Sequence, residues 1–195
     1  MDRPSIDTAI LTTTPDGEAC LVGRIAAGDR AAFDALYRAY FPRLARFLGR
    51  MTRSVGLIEE IANDTLLAVW QNAAGFTGAS RVSTWIFAIA YRRACKTLQG
   101  FEDPVDDDGD RRECVDADRP EWQLEQQRLA QAVDAALALL PLAQRTVFQL
   151  TFYHDMGCQE IAEIAGCPVN TVKTRLFHAR RRLAALLGEQ LESGP

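Results

Sequence analysis

Polar and basic side chains near the carboxyl end of the chain have the types and spacing of a nucleic-acid-binding surface. Amides, hydroxyls and guanidinium groups can hydrogen-bond base edges in a major groove, and lysine and arginine contact phosphates. From Ala165 to Gly188 the chain has no acidic residue and five basic ones. The candidates are Asn170, Thr171, Lys173, Thr174, Arg175, His178, Arg181 and Arg182. A basic helix can also be only a solvated surface, and this spacing alone does not separate the two interpretations.

The residues around this cluster predict a helix-turn-helix that would present it. Ala162 is small where a first helix would meet a second, Gly166 tolerates positive φ in the turn, and Val172 can hold the second helix against the first. Pro168 suits a first helical turn, where its missing N–H has no intrahelical acceptor. A core stripe is predicted at Val172, Leu176, Ala179, Leu183 and Leu187. Such a second helix could enter a major groove.

The acidic charge of the chain is concentrated in one stretch. The whole chain has a net charge of −4, yet residues 102–121 hold ten acids and three bases, so this stretch is −7 and the remainder is +3. Few apolar residues there could pack, which predicts an acidic linker over 100–121. This asymmetry is typical of a polyanion-binding domain beside an acidic connector.

Helical periodicity predicts an all-α fold with two small helical domains. Apolar residues recur at spacings of three and four after Asp29, a suitable N-cap, and Pro42 is expected to bend or divide that helix. A further helix is expected from about Ser83, and no segment alternates like a strand. The predicted ranges are a mobile tail at 1–20, a first domain at 21–99, the linker at 100–121 and a second domain at 122–195.

Composition argues against several classes of protein. No apolar run approaches the roughly 20 residues of a membrane-spanning helix, and no signal peptide is apparent, so we expect a cytoplasmic protein without membrane insertion. Five separated cysteines favour reduced thiols. His154, Cys158 and Cys167 are a conceivable metal set without a fourth ligand. With no glycine-rich phosphate loop either, we expect no enzyme, no cofactor and no small-molecule substrate.

Two stretches resemble a known family. "LPLAQRTVFQLTFYHDMGCQEIAEIAGCPVNTVKTRLFHARRRL" resembles region 4 of the extracytoplasmic-function sigma factors, the smallest group of the sigma-70 family of RNA polymerase specificity subunits. "AAGDRAAFDALYRAYFPRLARFL", "EEIANDTLLAVW" and "FTGASRVSTWIFAIAYRRACKTL" resemble the opening helices, the polymerase-binding helix and the promoter-opening segment of their region 2. The resemblance covers about residues 21–98 and 124–187, in the family's order.

The resemblance implies a sigma factor that binds core RNA polymerase and promoter DNA, commonly held inactive by an anti-sigma factor. It assigns reading of the minus-35 element to the second-domain candidates. The residues that it assigns to core polymerase binding are Glu59, Glu60, Asn63, Asp64 and Leu67, although a solvated acidic face would look alike. The acidic linker would enter the polymerase's RNA path or act as a plain tether.

The resemblance also assigns recognition and melting of the minus-10 element to the first domain. The loop from Phe76 to Ser83 would capture an unstacked base, and basic residues of the following helix would contact phosphates. The candidates are Phe76, Ser80, Arg81, Ser83, Arg92, Arg93 and Lys96. Trp85 could be a core residue or a stacking platform. Arg92 and Lys96 depart from the asparagine and later acid of many relatives.

The main alternative is a helix-turn-helix regulator that acts without polymerase. Such a protein would share the carboxyl-terminal motif. A response regulator would add a receiver domain with strands and an acidic phosphorylation pocket, and the sequence predicts neither. Binding to core polymerase separates the two classes.

Overall fold

The computed structural model describes residues 14–100 and 131–192, and within these ranges the fold is all-α, as predicted. The predicted linker beyond Gly100 and the first 13 residues of the predicted tail lie outside the described residues. The described chain divides into two compact units, the first of which includes residues 14–100 and the second residues 131–162 and 167–192.

Within residues 14–100, the first unit contains four helices and one short 3-10 turn. These are α1 (Pro15–Ala26), α2 (Arg30–Leu48), α3 (Val55–Asn72), the turn Ala73–Gly75, and α4 (Val82–Gly100). Three of the helices begin at a capping side chain. Thr14 accepts from the Gly17 amide, Asp29 from two amides at the start of α2, and Ser54 from the Leu57 amide. Each cap satisfies donors that the first helical turn leaves without partners.

The position of α1 corrects the predicted tail, which was expected to extend to residue 20. Pro15 begins a helix that buries Leu21, Val22 and Ile25. The sequence contains the start signal, because Thr14 caps the helix and Pro15 occupies a position that needs no amide donor. The spacing of the three apolar residues then places them on one face.

Pro42 does not divide α2, which is continuous from Arg30 to Leu48. Pro42 is solvent-exposed, so water can satisfy the carbonyl that loses its helical partner. Tyr40, Leu44 and Phe47, all fully buried, hold the helix against the core on both sides of the proline. The Phe47 ring also meets the Phe87 ring of α4 edge-on, at 5.3 Å between centroids.

Residues 131–192 contain a helical segment at 131–138 (α5), followed by α6 (Leu142–Phe152), α7 (Cys158–Ala165) and α8 (Val169–Glu192). The core of the second unit includes Leu137 and Leu140 packed with Ala179 and Leu183 of α8.

The turn between α7 and α8 has the geometry of a helix-turn-helix. Gly166 has a φ of 60°, and the Cys167 amide donates to the Ala162 carbonyl. Pro168 lies one residue before α8 rather than inside its first turn, and its carbonyl accepts from the Thr171 and Val172 amides. The proline therefore acts as the N-cap residue and supplies the first helical acceptor.

Candidate nucleic-acid interface

The predicted stripe on α8 is buried except at Leu187, which is half-buried, and the opposite surface faces solvent. Val172 and Ala179 are fully buried, and Leu176 and Leu183 nearly so. The exposed candidates are Asn170, Lys173, Thr174, His178, Arg181 and Arg182, whereas Thr171 and Arg175 are half-buried. The structure therefore presents amides, hydroxyls and cations on the outer side of the second helix of the motif, where base edges and phosphates can be reached.

Arg175 is an α8 candidate whose side chain hydrogen-bonds to a residue of the turn. Its Nη1 donates to the Cys167 Sγ across 3.6 Å, which holds the guanidinium near the start of the helix. The Thr174 hydroxyl donates to the Asn170 carbonyl at 2.9 Å, so its lone pairs remain available to an external donor. These contacts limit the directions in which both side chains can point.

Sequence reasoning missed Phe177, which lies on the same surface and is 62% exposed. The helical period could have placed it opposite the buried stripe, because position 177 falls between the stripe residues Leu176 and Ala179 without sharing their face. An exposed aromatic ring among polar side chains can contact the methyl group of thymine. Arg180 differs from its neighbours, because its guanidinium lies over the Phe152 ring at 5.1 Å.

A second surface is built in the first unit by the loop before α4. The Phe76 ring lies against the Trp85 ring, with 5.0 Å between centroids, and Gly78 has a φ of 75°. Arg81 is exposed at the end of the loop, while Ser80 and Ser83 are half-buried. Trp85 is half-buried too, so it belongs fully neither to the core nor to the surface.

A groove of about 580 Å³ lies between the last turns of α3 and the length of α4. Trp85 and Ile89 contribute apolar surface, and Asn72 contributes an amide. The three candidate cations of α4 also line it: Arg92, Arg93 and Lys96. An aromatic surface beside several cations suits single-stranded nucleic acid, because bases stack on rings while phosphates meet the charges.

The predicted docking residues share the outer face of α3. Glu59, Glu60, Asn63 and Asp64 are exposed, and Leu67 is 50% exposed. The opposite face is buried in the core through Ile61, Ala62, Thr65 and Leu66. A protein partner could therefore meet four polar side chains and one leucine on a single helix.

Cross-helix contacts link this face to both neighbouring helices. The Tyr37 hydroxyl of α2 donates to Asn63 Oδ1 at 2.9 Å. Arg93 Nη1 of α4 lies 3.0 Å from Asp64 Oδ2, so a cation from the groove is paired with a carboxylate from the docking face. The two predicted sets thus share an ion pair, which the charge pattern alone did not predict.

Neither a metal cluster nor a membrane span is present in the part of the chain that the structure describes. No group of three His, Cys, Asp or Glu side chains within residues 14–100 and 131–192 could hold a metal ion, which removes the His154, Cys158 and Cys167 set. No described helix is both long and apolar enough to cross a bilayer.

Comparisons with known proteins match both units. The family model of "Sigma-70 region 2" matches residues 36–100, and that of "Sigma-70, region 4" matches residues 130–183. The chain is 35% identical to the ECF RNA polymerase sigma factor RpoE of Cereibacter sphaeroides over 159 residues, which is 80% of this chain and 86% of that protein. It is 30% identical to the ECF RNA polymerase sigma-E factor of Haemophilus influenzae, over 84% of this chain and 91% of that protein.

Solved structures show the same fold. The sigma factor RpoE of Bartonella quintana, solved in complex with the anti-sigma factor NepR, is 25% identical with a TM-score of 0.62, over 80% of this chain and 96% of that one. CnrH, solved with the cytosolic domain of CnrY, is 24% identical with a TM-score of 0.64, over 88% and 97% of the two chains.

Proposed function

Because the chain belongs to the extracytoplasmic-function RNA polymerase sigma factors, we propose that its two units divide the recognition of a promoter between them. As a sigma factor it binds core RNA polymerase and directs transcription initiation to particular promoters. Sigma factors are specificity subunits rather than catalysts. The observation that carries the proposal is the presence, on one chain, of a basic helix-turn-helix surface and a separate aromatic and basic groove.

The second unit reads the minus-35 element through α8. Asn170, Thr171, Lys173, Thr174 and Arg175 stand near the start of the helix, where side chains reach base edges. Phe177 adds an apolar contact. His178, Arg181 and Arg182 lie further along and contact phosphates, which positions the helix without reading sequence.

The first unit binds the opened minus-10 element. The loop from Phe76 to Ser83 receives an unstacked base, with Ser80 and Arg81 beside it, and Trp85 offers a ring that lines the groove. Arg92, Arg93 and Lys96 then hold the phosphates of the displaced strand. This proposed role is supported by the presence of aromatic surface and positive charge in a single groove.

The outer face of α3 docks on core polymerase. Leu67 supplies apolar contact, and Glu59, Glu60, Asn63 and Asp64 supply charge and hydrogen bonds around it. These carboxylates would meet a basic surface on the polymerase. Docking brings the first unit to the polymerase at the promoter. Because the polymerase acts in the cytoplasm, the protein acts there too.

An anti-sigma factor is the expected regulator. The Bartonella quintana relative was solved with the anti-sigma factor NepR, and its fold extends over 80% of this chain. A regulator that covers the α3 face would compete directly with polymerase.

Reconstitution with core polymerase tests the proposal. The purified chain should bind core polymerase and support run-off transcription from a subset of a promoter library. Leu67→Ala should weaken core binding, whereas Val55→Ala, which removes an exposed apolar side chain at the start of the same helix, should not. Tight promoter binding by the chain alone, with no affinity for core polymerase, would instead assign it to the regulators that act without polymerase.

A further inference from the structure

Glu18 is a buried carboxylate that the proposed function does not use. It lies on α1 and is 8% exposed, and α1 precedes the residues that the region 2 family model matches. An ionised carboxylate inside a protein is unfavourable unless charges or hydrogen bonds compensate it. Asp16, two residues earlier, is exposed, so α1 can also carry an acid in solvent.

The Glu18 carboxylate lies beside a guanidinium group of α2. Arg43 Nη1 of α2 lies 3.7 Å from Glu18 Oε1, and its guanidinium stands over the Tyr40 ring at 4.6 Å. Burial raises the pKa of Glu18, while the Tyr40 hydroxyl and the charges of Arg43 and Arg81 act in the opposite direction.

Helix α1 also packs against the other end of that loop. It contacts the 3-10 turn Ala73–Gly75 and α4, and Ala73 is buried. Phe76 follows this turn directly, and Arg81 precedes the first residue of α4. The elements at both ends of the loop thus pack against α1.

We propose that Glu18 is a positioning residue for promoter melting. Its contact with Arg43 fixes α1 on α2, and α1 packs against both ends of the loop from Phe76 to Arg81 and so holds that loop in its base-receiving shape. The inference rests on the proposed role of this loop. An apolar side chain of similar size would fill the same space without the cost of desolvation, but it would leave the Arg43 guanidinium without this acceptor.

The test compares Glu18→Gln with Asp16→Asn, which neutralises the exposed acid of the same helix. Each full-length variant is assembled with core polymerase, and open-complex formation is timed on a duplex promoter and on the same promoter already mismatched at the minus-10 element. Glu18→Gln should slow opening of the duplex about tenfold, which corresponds to about 1.4 kcal/mol in the barrier. On the mismatched template it should stay close to wild type, and Asp16→Asn should match wild type on both.

Arg43→Gln makes the test specific to the contact. If Glu18 acts through Arg43, Glu18→Gln should have little further effect in the Arg43→Gln background. Additive effects or an unchanged opening rate would overturn the inference. Equal losses on both templates would also overturn it, as would a loss explained by weaker core binding or lower helix content. Defects in Phe76→Ala and Arg81→Gln without one in Glu18→Gln would leave the proposed function standing and remove only this role.

Discussion

Arg175 and Arg182 are two arginines of α8 whose surroundings predict different effects of substitution on promoter binding. Arg175 is half-buried and tied to Cys167 near the start of the helix, whereas Arg182 is exposed nearly two turns further on. We expect Arg175→Ala to lower discrimination between a minus-35 duplex and a scrambled one, by about 1–3 kcal/mol if the contact is bidentate to a base. Arg182→Ala should weaken binding to both duplexes equally and reduce the salt slope by about one.

Fluorescence anisotropy of the holoenzyme on the two duplexes, over a range of salt concentrations, measures both quantities. Arg182→Ala serves as the control for lost charge. Unchanged discrimination in Arg175→Ala would remove its base-reading role.

Gln149 is a buried polar residue that destabilises the fold. It is 1% exposed on α6, and neither its Nε2 nor its Oε1 has a hydrogen-bond partner. Each unpartnered buried polar atom costs free energy, so Gln149→Leu should raise the free energy of unfolding by about 1–3 kcal/mol. Urea denaturation followed by circular dichroism measures the change, and Gln159→Leu at an exposed position should give none. A destabilised Gln149→Leu would mean that the amide is satisfied in solution.

At the scale of elements, α3 and α4 act as a pair because their proposed surfaces share the Asp64–Arg93 contact. The side chains are 53% and 40% exposed, so solvent screens the interaction. A double-mutant cycle with Asp64→Asn and Arg93→Gln should give a coupling of about 0.2–1 kcal/mol in the free energy of unfolding. The cycle on Asp34 and Arg38, an exposed pair within α2, supplies the comparison for a pair that joins no two helices.

The same variants can be compared for their affinity for DNA. Asp64→Asn removes the carboxylate that competes with phosphate for Arg93, so the free protein should bind single-stranded minus-10 DNA somewhat more tightly. Weaker binding after Asp64→Asn would show that the pair orients Arg93 rather than withholding it.

Element boundaries followed from local chemistry wherever the capping residues were recognised. Asp29 was predicted as the cap of α2 and confirmed, since its carboxylate accepts from the Ala31 and Ala32 amides. Helix α1 was missed because its cap and its first-turn proline lie in a stretch whose few apolar residues suggested a tail. Pro42 was expected to bend or divide α2, and the helix is not divided because the proline faces solvent. Pro168 was expected in the first turn of α8 and lies one residue before it, because its carbonyl supplies the first helical acceptor.

At the scale of the whole molecule, charge is divided between segments of opposite sign. The stretch 102–121 has a net charge of −7 on a chain whose other residues sum to +3. If this stretch occupies a basic channel of the polymerase, substituting Lys for Asp106, Asp107 and Asp108 should impair initiation. Yields of abortive and full-length transcripts measure the effect. Asn at the same positions is the milder control, and normal yields with Lys would favour a plain tether.

The amino-acid sequence by itself determined the helices, the turn and the division of charge. Those features depend on short-range rules: a cap within three residues, an apolar period of three and four, and a glycine at the positive φ of residue 166. The exposed sides of α3 and α8 followed from the same period.

Only the tertiary structure decided which side chains meet across helices. Tyr37 and Asn63 are 26 residues apart, and Asp64 and Arg93 are 29 apart. Glu18 and Arg43 likewise come together from different helices. Such contacts depend on the rotation and crossing of packed helices, which a pattern within one helix does not encode. The periodicity of α3 and α4 therefore predicted two separate surfaces, while their packing joined those surfaces through one ion pair.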